Sequence, residues 1–500
     1  MKNSKIAKVL LSMTGLIILS KLLGFVKQIV VADIFGATIE TDLLNLSQEF
    51  IGSTQYLLAQ SLLTALVTVY IYTKDRDENV ADRLAFAALE VFTVIGVGAA
   101  VLVAVLAPWL AKFLAPAYST ELSAALSRYL RMFAPVLVLL VWTAAFNALL
   151  HANKRFIPGE MISVFQSLLS IGLVLALYDT MGIKALVVSF FAYTLWNASY
   201  TAILSRQYLS PYRGNPFKNQ AVKEILHMMV PLLIGYSVIY VNQLVDKILA
   251  SGLPEGTVTA LYYGSVLSNL VATFVVTFAS IFFPYVTDSI SRREQKKAAE
   301  MTNWTAVLMV LVFLPVSIIT VICADDIVTV VYARGAFDAE SAAICAKALR
   351  GYGLMFVPLV LREVYSRFIY GYQDSRRPMF NSSISIAVNI ALSILLCPEY
   401  GVLGITFATS VAVGICSVLN MISARHHNAE LHYGSLARAL PWLLAGGSAC
   451  TLMTMGANCY LAGDTPLIRF ILVTLCSGAV YALCVSPLLI RLLRQYRENK

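Results

Sequence analysis

Charge is what this chain has least of. Only 13% of its 500 residues are Asp, Glu, Lys or Arg, against roughly 25% in a typical soluble domain. Acidic residues are the scarcer sign, 28 against 37 basic, which leaves a net charge of +9. The first half has no cysteine at all. Cys323, Cys345, Cys397, Cys416, Cys450, Cys459, Cys476 and Cys484 all lie in the second half, and none forms a CxxC pair. Most sit in or beside apolar runs, where cysteine behaves as a small apolar residue, so neither a disulfide framework nor a metal site is expected. Histidine is also rare, and His426 and His427, adjacent in a basic segment, read as a solvated pair. The chain lacks GxxxxGK[ST], a GxGxxG following a strand, and HExxH. Phosphate-loop ATP hydrolysis is thereby excluded as an internal energy source. No cofactor is expected beyond a coupling ion or the membrane potential. The longest polar stretches, 73–84, 207–225, 286–300 and 425–437, are too short for a separate catalytic fold.

What is present is apolar length. Hydrophobic residues make up 59% of the chain, and the mean hydropathy is +0.75. A membrane-spanning helix needs about 20 apolar residues. The runs and their breaks predict spans at 7–34, 43–72, 85–114, 129–151, 158–178, 184–206, 227–251, 258–285, 302–323, 343–370, 379–397, 402–424, 439–461 and 467–491. The loops then alternate in sign. One set carries Lys74, Arg76 and Arg83, then Lys154 and Arg155, Arg206 to Lys223, Arg292 to Lys297, Arg376 and Arg377, and Arg425 and Arg438. The other is short or acidic, with Glu40, Asp42, Glu255, Asp325, Asp326, Asp338, Glu340, Glu399 and Asp464. Basic loops stay in the cytoplasm. Lys2, Lys5, Lys8 and the basic residues from Arg491 to Lys500 therefore place both ends inside, which an even span count requires. Lys and Arg in alternate loops explain the net charge without a nucleic-acid partner. The basic start followed by an apolar run resembles a signal peptide, but no small-x-small site closes it, so an uncleaved first span is expected.

Several charges lie inside spans. Lys21 and Lys27 interrupt the run LSKLLGFVKQIVVADIFGATIETD. A lysine near the bilayer centre costs roughly 2.5–3.5 kcal/mol on insertion scales. Six residues apart, the two side chains are about 120° apart around a helix, so both can face one hydrated cavity; snorkelling to an interface is the competing explanation. Asp246 and Lys247 lie deep in the seventh span, consistent with gating or with packing. In the tenth, Glu363 and Arg367 have the i,i+4 spacing of a helix ion pair, while Arg362 points elsewhere, toward a cavity. Glu49 and Glu90 also fall within or near spans.

The chain repeats itself at an offset of about 220 residues, the signature of a duplicated architecture. HANKRFIPGEMISVFQSLLSIGLVLAL from His151 resembles GYQDSRRPMFNSSISIAVNIALSILL from Gly371; Pro158 falls on Pro378, Gly182 on Val402, and Lys27 on Lys247. A six-span unit is even, so the repeat is parallel, about an axis along the membrane normal, and such transporters bind substrate between the halves. The expected fold is an all-α polytopic membrane protein with 14 transmembrane helices. Residues 1–208 form one six-helix lobe, 209–225 an interfacial linker, 226–428 the second lobe, and 437–494 a terminal helix pair outside the repeat.

Four segments carry a family resemblance: SKLLGFVKQIVVADIFGATIETD at 20–42, VNQLVDKILASGLPEGTVTALYYGSVL at 241–267, VVYARGAFDAESAAICAKALRGYGL at 330–354 and SRFIYGYQDSRRP at 366–378. They resemble the MurJ/MviN family of the multidrug, oligosaccharidyl-lipid and polysaccharide exporter superfamily. The resemblance implies a flippase, not an enzyme, in the bacterial cytoplasmic membrane. It would carry lipid II, the undecaprenyl-pyrophosphate-linked peptidoglycan precursor, to the outer leaflet by alternating access. The terminal pair would form a groove for the lipid tail. It implies cavity roles for Lys21, Lys27 and Asp42, while the other charges within spans suggest a cavity role for Arg362 and gating or ion-pair roles for Asp246, Lys247, Glu363 and Arg367. The partners implied are the lipid-linked glycan and membrane lipids, with a monomer expected and cell-envelope synthesis proteins as candidate associates. The family has arginine at the positions of Lys21 and Lys27, so the charge is kept and the bidentate fork is lost. It often has a basic pair where this chain reads Gln55–Tyr56, and an arginine where it has Val266. Those departures keep two alternatives open: another polyprenyl-linked oligosaccharide as cargo, and an ion-coupled small-molecule exporter. A non-transporting scaffold in an envelope-synthesis complex is a third.

Overall fold

The structure is a computed structural model. It describes the backbone of residues 2–498 apart from Phe156, Ala462 and Asp464, and side chains except at 1–18, Gln55, 156–160, 234–236, 238–239, Ala462, Asp464 and 491–500. The sequence arguments drawn from Lys2, Lys5, Lys8, Gln55, Pro158, Asp464 and the basic residues from Arg491 to Lys500 therefore lie outside the described residues.

All regular structure among the described residues is helical. The order is α1 (Lys2–Phe35), α2 (Ile39–Lys74), α3 (Glu78–Leu114), α4 (Thr120–Phe133), α5 (Val136–Ala152), α6 (Ile157–Met181), α7 (Lys184–Ser205), α8 (Gln220–Ala250) and α9 (Thr257–Ser291). It continues with α10 (Gln295–Ile322), α11 (Ala324–Val331), α12 (Ala339–Gly353), α13 (Phe356–Gly371), α14 (Arg376–Tyr400), α15 (Val402–His427), α16 (Gly434–Tyr460) and α17 (Pro466–Glu498). Each expected span falls on one helix or on a broken pair. Among the described residues, nine helices are long and apolar enough to cross a membrane, or ten when α12 and α13, bent by 42°, count as one. The acidic loop around Asp325 differs from expectation by containing a helix, α11.

Local chemistry sets the helix ends. Thr38 starts α2 through a reciprocal capping box with Thr41. Asp77 accepts from the backbone N–H groups of Asn79 and Val80 to start α3. The break between α4 and α5 falls at Ala134–Pro135, where proline has no N–H to donate. The matching break, Leu354–Met355 between α12 and α13, lies about 220 residues on, as the repeat requires. Gly36 and Gly256 hold the same relation, and both have positive φ, 61° and 82°. At Gly256 a Cβ would stand 2.3 Å from the carbonyl oxygen of Ala37, so only glycine fits.

Two compact units divide the chain, Met1–Val258 and Thr259–Lys500. In the first, α2 packs on α5 and α8, and α6 packs on α1 and α7. Its core includes Leu66, Tyr70, Phe92 and Ile225, with a second cluster around Ile51, Phe133 and Leu137. In the second unit, α14 and α15 form a hairpin against which α13 packs, and α16 and α17 pair and lean on α10. Phe313, Phe356, Tyr365 and Phe368 sit in its core. Between apolar helices in lipid, packing and side-chain hydrogen bonds supply association, at about 0.6 kcal/mol per bond. Asn420 supplies such glue, donating to Ser366 on α13 and accepting from Asn381 on α14, both at 2.8 Å. The packing boundary at Val258 does not coincide with the repeat boundary at the 209–225 connector: α8, which opens the second repeat, belongs by its contacts to the first unit.

Candidate functional site

Ionisable side chains on membrane-spanning helices are rare and mark functional positions by default. In the first unit α1 supplies two. Lys21 is exposed and Lys27 partly buried. The Lys27 ammonium lies 5.2 Å from the ring centroid of Tyr193 on α7, within cation–π range. Polar pairs link the adjoining α6 and α7: Asn197 donates to Gln166 at 3.0 Å, and Ser170 meets Ser189 at 2.8 Å. Among the described residues, neither Lys21 nor Lys27 forms an ion pair.

Asp42 has a different setting. It lies in the first turn of α2, is 1% exposed, and accepts a 2.8 Å bond from the backbone N–H of Gly256. Its carboxylate thereby anchors the turn between α8 and α9. Asp246 and Lys247 are both buried, but Lys247 pairs with Glu49 on α2 at 2.5 Å. Sequence reading placed Glu49 in a span without seeing this partnership. The available signal was that a buried lysine needs an acid.

In the second unit one carboxylate serves two guanidiniums. Glu363 pairs with Arg367 one turn on and with Arg362 at 2.8 Å. The i,i+4 pair expected from spacing is present. Arg362 does not point elsewhere: it turns back onto the same carboxylate. Arg367 also donates to the Val276 carbonyl at 3.2 Å and the Ser280 hydroxyl at 3.0 Å, tying α13 to α9. A shallow recess adjoins it, lined by Phe282, Phe283, Thr302, Thr305 and Phe368.

Two further pairings escaped sequence reading. Arg469 on α17 bonds Asp326 on α11, and Arg350 on α12 pairs with Asp325 at 2.5 Å. His427 is only partly exposed and has protein partners. Its Nε2 lies 3.1 Å from Asp374 and its Nδ1 2.9 Å from the Ser423 carbonyl, while His426 is exposed. Asp374 lies in the turn before α14. The backbone N–H of Arg377 first, then that of Arg376 and the His427 imidazole, hold its carboxyl below the usual aspartate value.

The candidate sites are thus, in the first unit, cationic groups on α1 and an α2–α8 ion pair, and, in the second unit by itself, an arginine–glutamate cluster on α13. These features and the duplicated helix order define a polytopic α-helical transporter of the exporter type. Solved structures share the fold. The structure of lipid II flippase MurJ in an inward closed conformation superposes with TM-score 0.83 at 18% identity, covering 97% of this chain and 100% of that one. An inward-facing multidrug resistance MATE family transporter of the MOP superfamily gives 0.69 at 14%, covering 82% and 95%.

The chain belongs to the family described as lipid II flippase MurJ, whose model matches residues 31–473. Among curated relatives, the probable lipid II flippase MurJ of Rhizobium tropici is 25% identical over 460 residues, 89% of this chain and 85% of the relative. That of Vibrio cholerae is 23% identical over 452 residues, covering 86% and 84%. The chain is accordingly a multi-pass protein of the inner membrane.

Proposed function

We propose that this protein flips lipid II from the cytoplasmic to the outer leaflet by alternating access, and that it catalyses no covalent step. The observation that carries the reading is Lys27, an ammonium at membrane depth with no carboxylate paired to it among the described residues. A desolvated cation without an internal counter-ion is set up to receive an anionic group. A pyrophosphate supplies that charge, and Lys21, six residues earlier, adds a second cation to meet it. The head group enters from the cytoplasm and leaves outside, while the polyprenyl tail stays in lipid along α16 and α17. Exposed Leu444, Leu452, Leu475 and Leu483 on those helices suit an acyl-like surface. Both termini lie in the cytoplasm on this reading, which the basic loops support. The energy comes from the membrane potential or an ion gradient, worth about 2.3 kcal/mol per charge per 100 mV. The protein needs no bound cofactor and works as a monomer.

A second cargo, another polyprenyl-linked oligosaccharide, is favoured by Val266 and by lysine in place of arginine on α1. A lysine is a point charge and does not fix a bidentate geometry.

The test is appearance of lipid II in the outer leaflet, read by an enzyme that cannot cross the membrane. Lys21→Ala with Lys27→Ala should lower flipping at least tenfold at unchanged membrane abundance, and Lys→Arg at both should retain it. Wild-type flipping in the double alanine variant would remove the role of these lysines. Charge dependence with another lipid-linked glycan appearing outside, and never lipid II, would select the second cargo.

A further inference from the structure

Lys27 and Lys247 stand at similar depth but in opposite electrostatic states. Lys27 lies eight residues before the end of α1 and Glu49 ten residues after the start of α2. At 1.5 Å per residue these are roughly 12 Å and 15 Å from the short turn that joins the two helices. Lys247 reaches that same level, because its ammonium bonds Glu49. Lys27 has a tyrosine ring beneath it, whereas Lys247 has a carboxylate. The α2–α8 seam keeps its register two turns away, where Tyr56 and Tyr240 place their ring centroids 4.7 Å apart. The pair is not sealed. The Glu49 side chain is 24% exposed and that of Lys247 10%, so the carboxylate has an open direction in which to swing.

We propose that Glu49 is a specificity-determining residue: it occupies Lys247 as an internal competitor that only a doubly charged phosphate head displaces. The inference rests on the flippase reading. An anion with one charge that took Lys247 would replace one unit of attraction by another and leave Glu49 unpaired at membrane depth. A diphosphate diester carries two negative charges and attracts the ammonium about twice as strongly at equal distance and dielectric. It covers the loss of Glu49, which rotates toward its exposed side. Lys27, with no carboxylate paired to it among the described residues, accepts either anion. Lys247 thus engages only the diphosphate-linked lipid.

The experiment measures binding of two probes to the full chain in nanodiscs: a polyprenyl diphosphate-linked sugar and the matching polyprenyl monophosphate-linked sugar. Glu49→Gln should tighten binding of the monophosphate lipid about tenfold and shrink the ratio of the two affinities. Glu49→Gln with Lys247→Met removes both charges of this ion pair together, so neither of these two ions is left facing an uncharged partner. It should weaken diphosphate binding about tenfold and leave monophosphate binding unchanged. A structural ion pair would alter thermal stability and shift both affinities together, or neither. A wild-type affinity ratio in the folded double variant overturns the inference and leaves the flippase reading standing. Failure of the wild-type protein to bind either lipid overturns both.

Discussion

Glu363 shows how one residue balances several others. It faces Arg362 and Arg367 at once, and Arg367 in turn reaches two oxygen atoms of α9. Removing one partner of a buried ion pair leaves the other charge without compensation, at a cost of about 3–5 kcal/mol. Glu363→Gln strands two guanidiniums and should fall within that range, seen as a lower Tm in detergent. Arg367→Ala should destabilise more than Arg362→Ala, because side-chain exposure is 17% for Arg367 and 33% for Arg362. Equal stabilities for wild type and Glu363→Gln would show that the cluster is hydrated and contributes nothing.

At the scale of an element, the turn between α8 and α9 depends on one glycine. Gly256 has φ +82°, donates its N–H to Asp42, and lets the Ala37 carbonyl approach. Gly256→Ala adds left-handed strain of about 1–3 kcal/mol and a clash with backbone that has nowhere to go. It should lower Tm and loosen the start of α2, visible as faster amide exchange at Thr41 and Asp42. Gly172 on α6 is the control, since nothing lies within 4 Å of its ideal Cβ. Gly172→Ala should be neutral or stabilising by up to about 1 kcal/mol, as expected for alanine replacing glycine in a helix. Similar effects at both positions would mean that helix propensity, and not the turn, governs Gly256.

For the whole molecule, the repeat makes a claim about sidedness. The turn before α6 carries Lys154 and Arg155, and the turn before α14 carries Arg376 and Arg377. A six-span offset would place both on one side, and on the proposed topology their charge makes that side the cytoplasm. Cysteines at Lys154 and Arg376, in a chain whose native cysteines have been replaced, should both react with a membrane-impermeant thiol reagent only after the cytoplasmic face is opened. Labelling of the two positions from opposite sides would overturn the parallel repeat.

The sequence by itself determined the elements. Long apolar runs have to become helices in a bilayer, because every backbone polar group must be satisfied within the segment. Helix positions and the offset of the two repeats were therefore readable, as was the Glu363–Arg367 pair, which depends only on helical spacing. Partners on different helices were not. Lys247 with Glu49, Lys27 over Tyr193, Asp42 on the Gly256 amide, and Arg469 with Asp326 join positions far apart in the chain. Periodicity says that a charge lies in a span, but it does not say which neighbouring helix supplies the counter-charge. That depends on how each helix is rotated about its axis and packed, as α8 shows: it begins the second repeat in sequence and packs with the first unit in space. Only the tertiary structure decided that Lys27 has a tyrosine ring and no carboxylate partner among the described residues, while Lys247 has Glu49 against it. Depth along a helix is written in the sequence, whereas electrostatic compensation belongs to the packed arrangement.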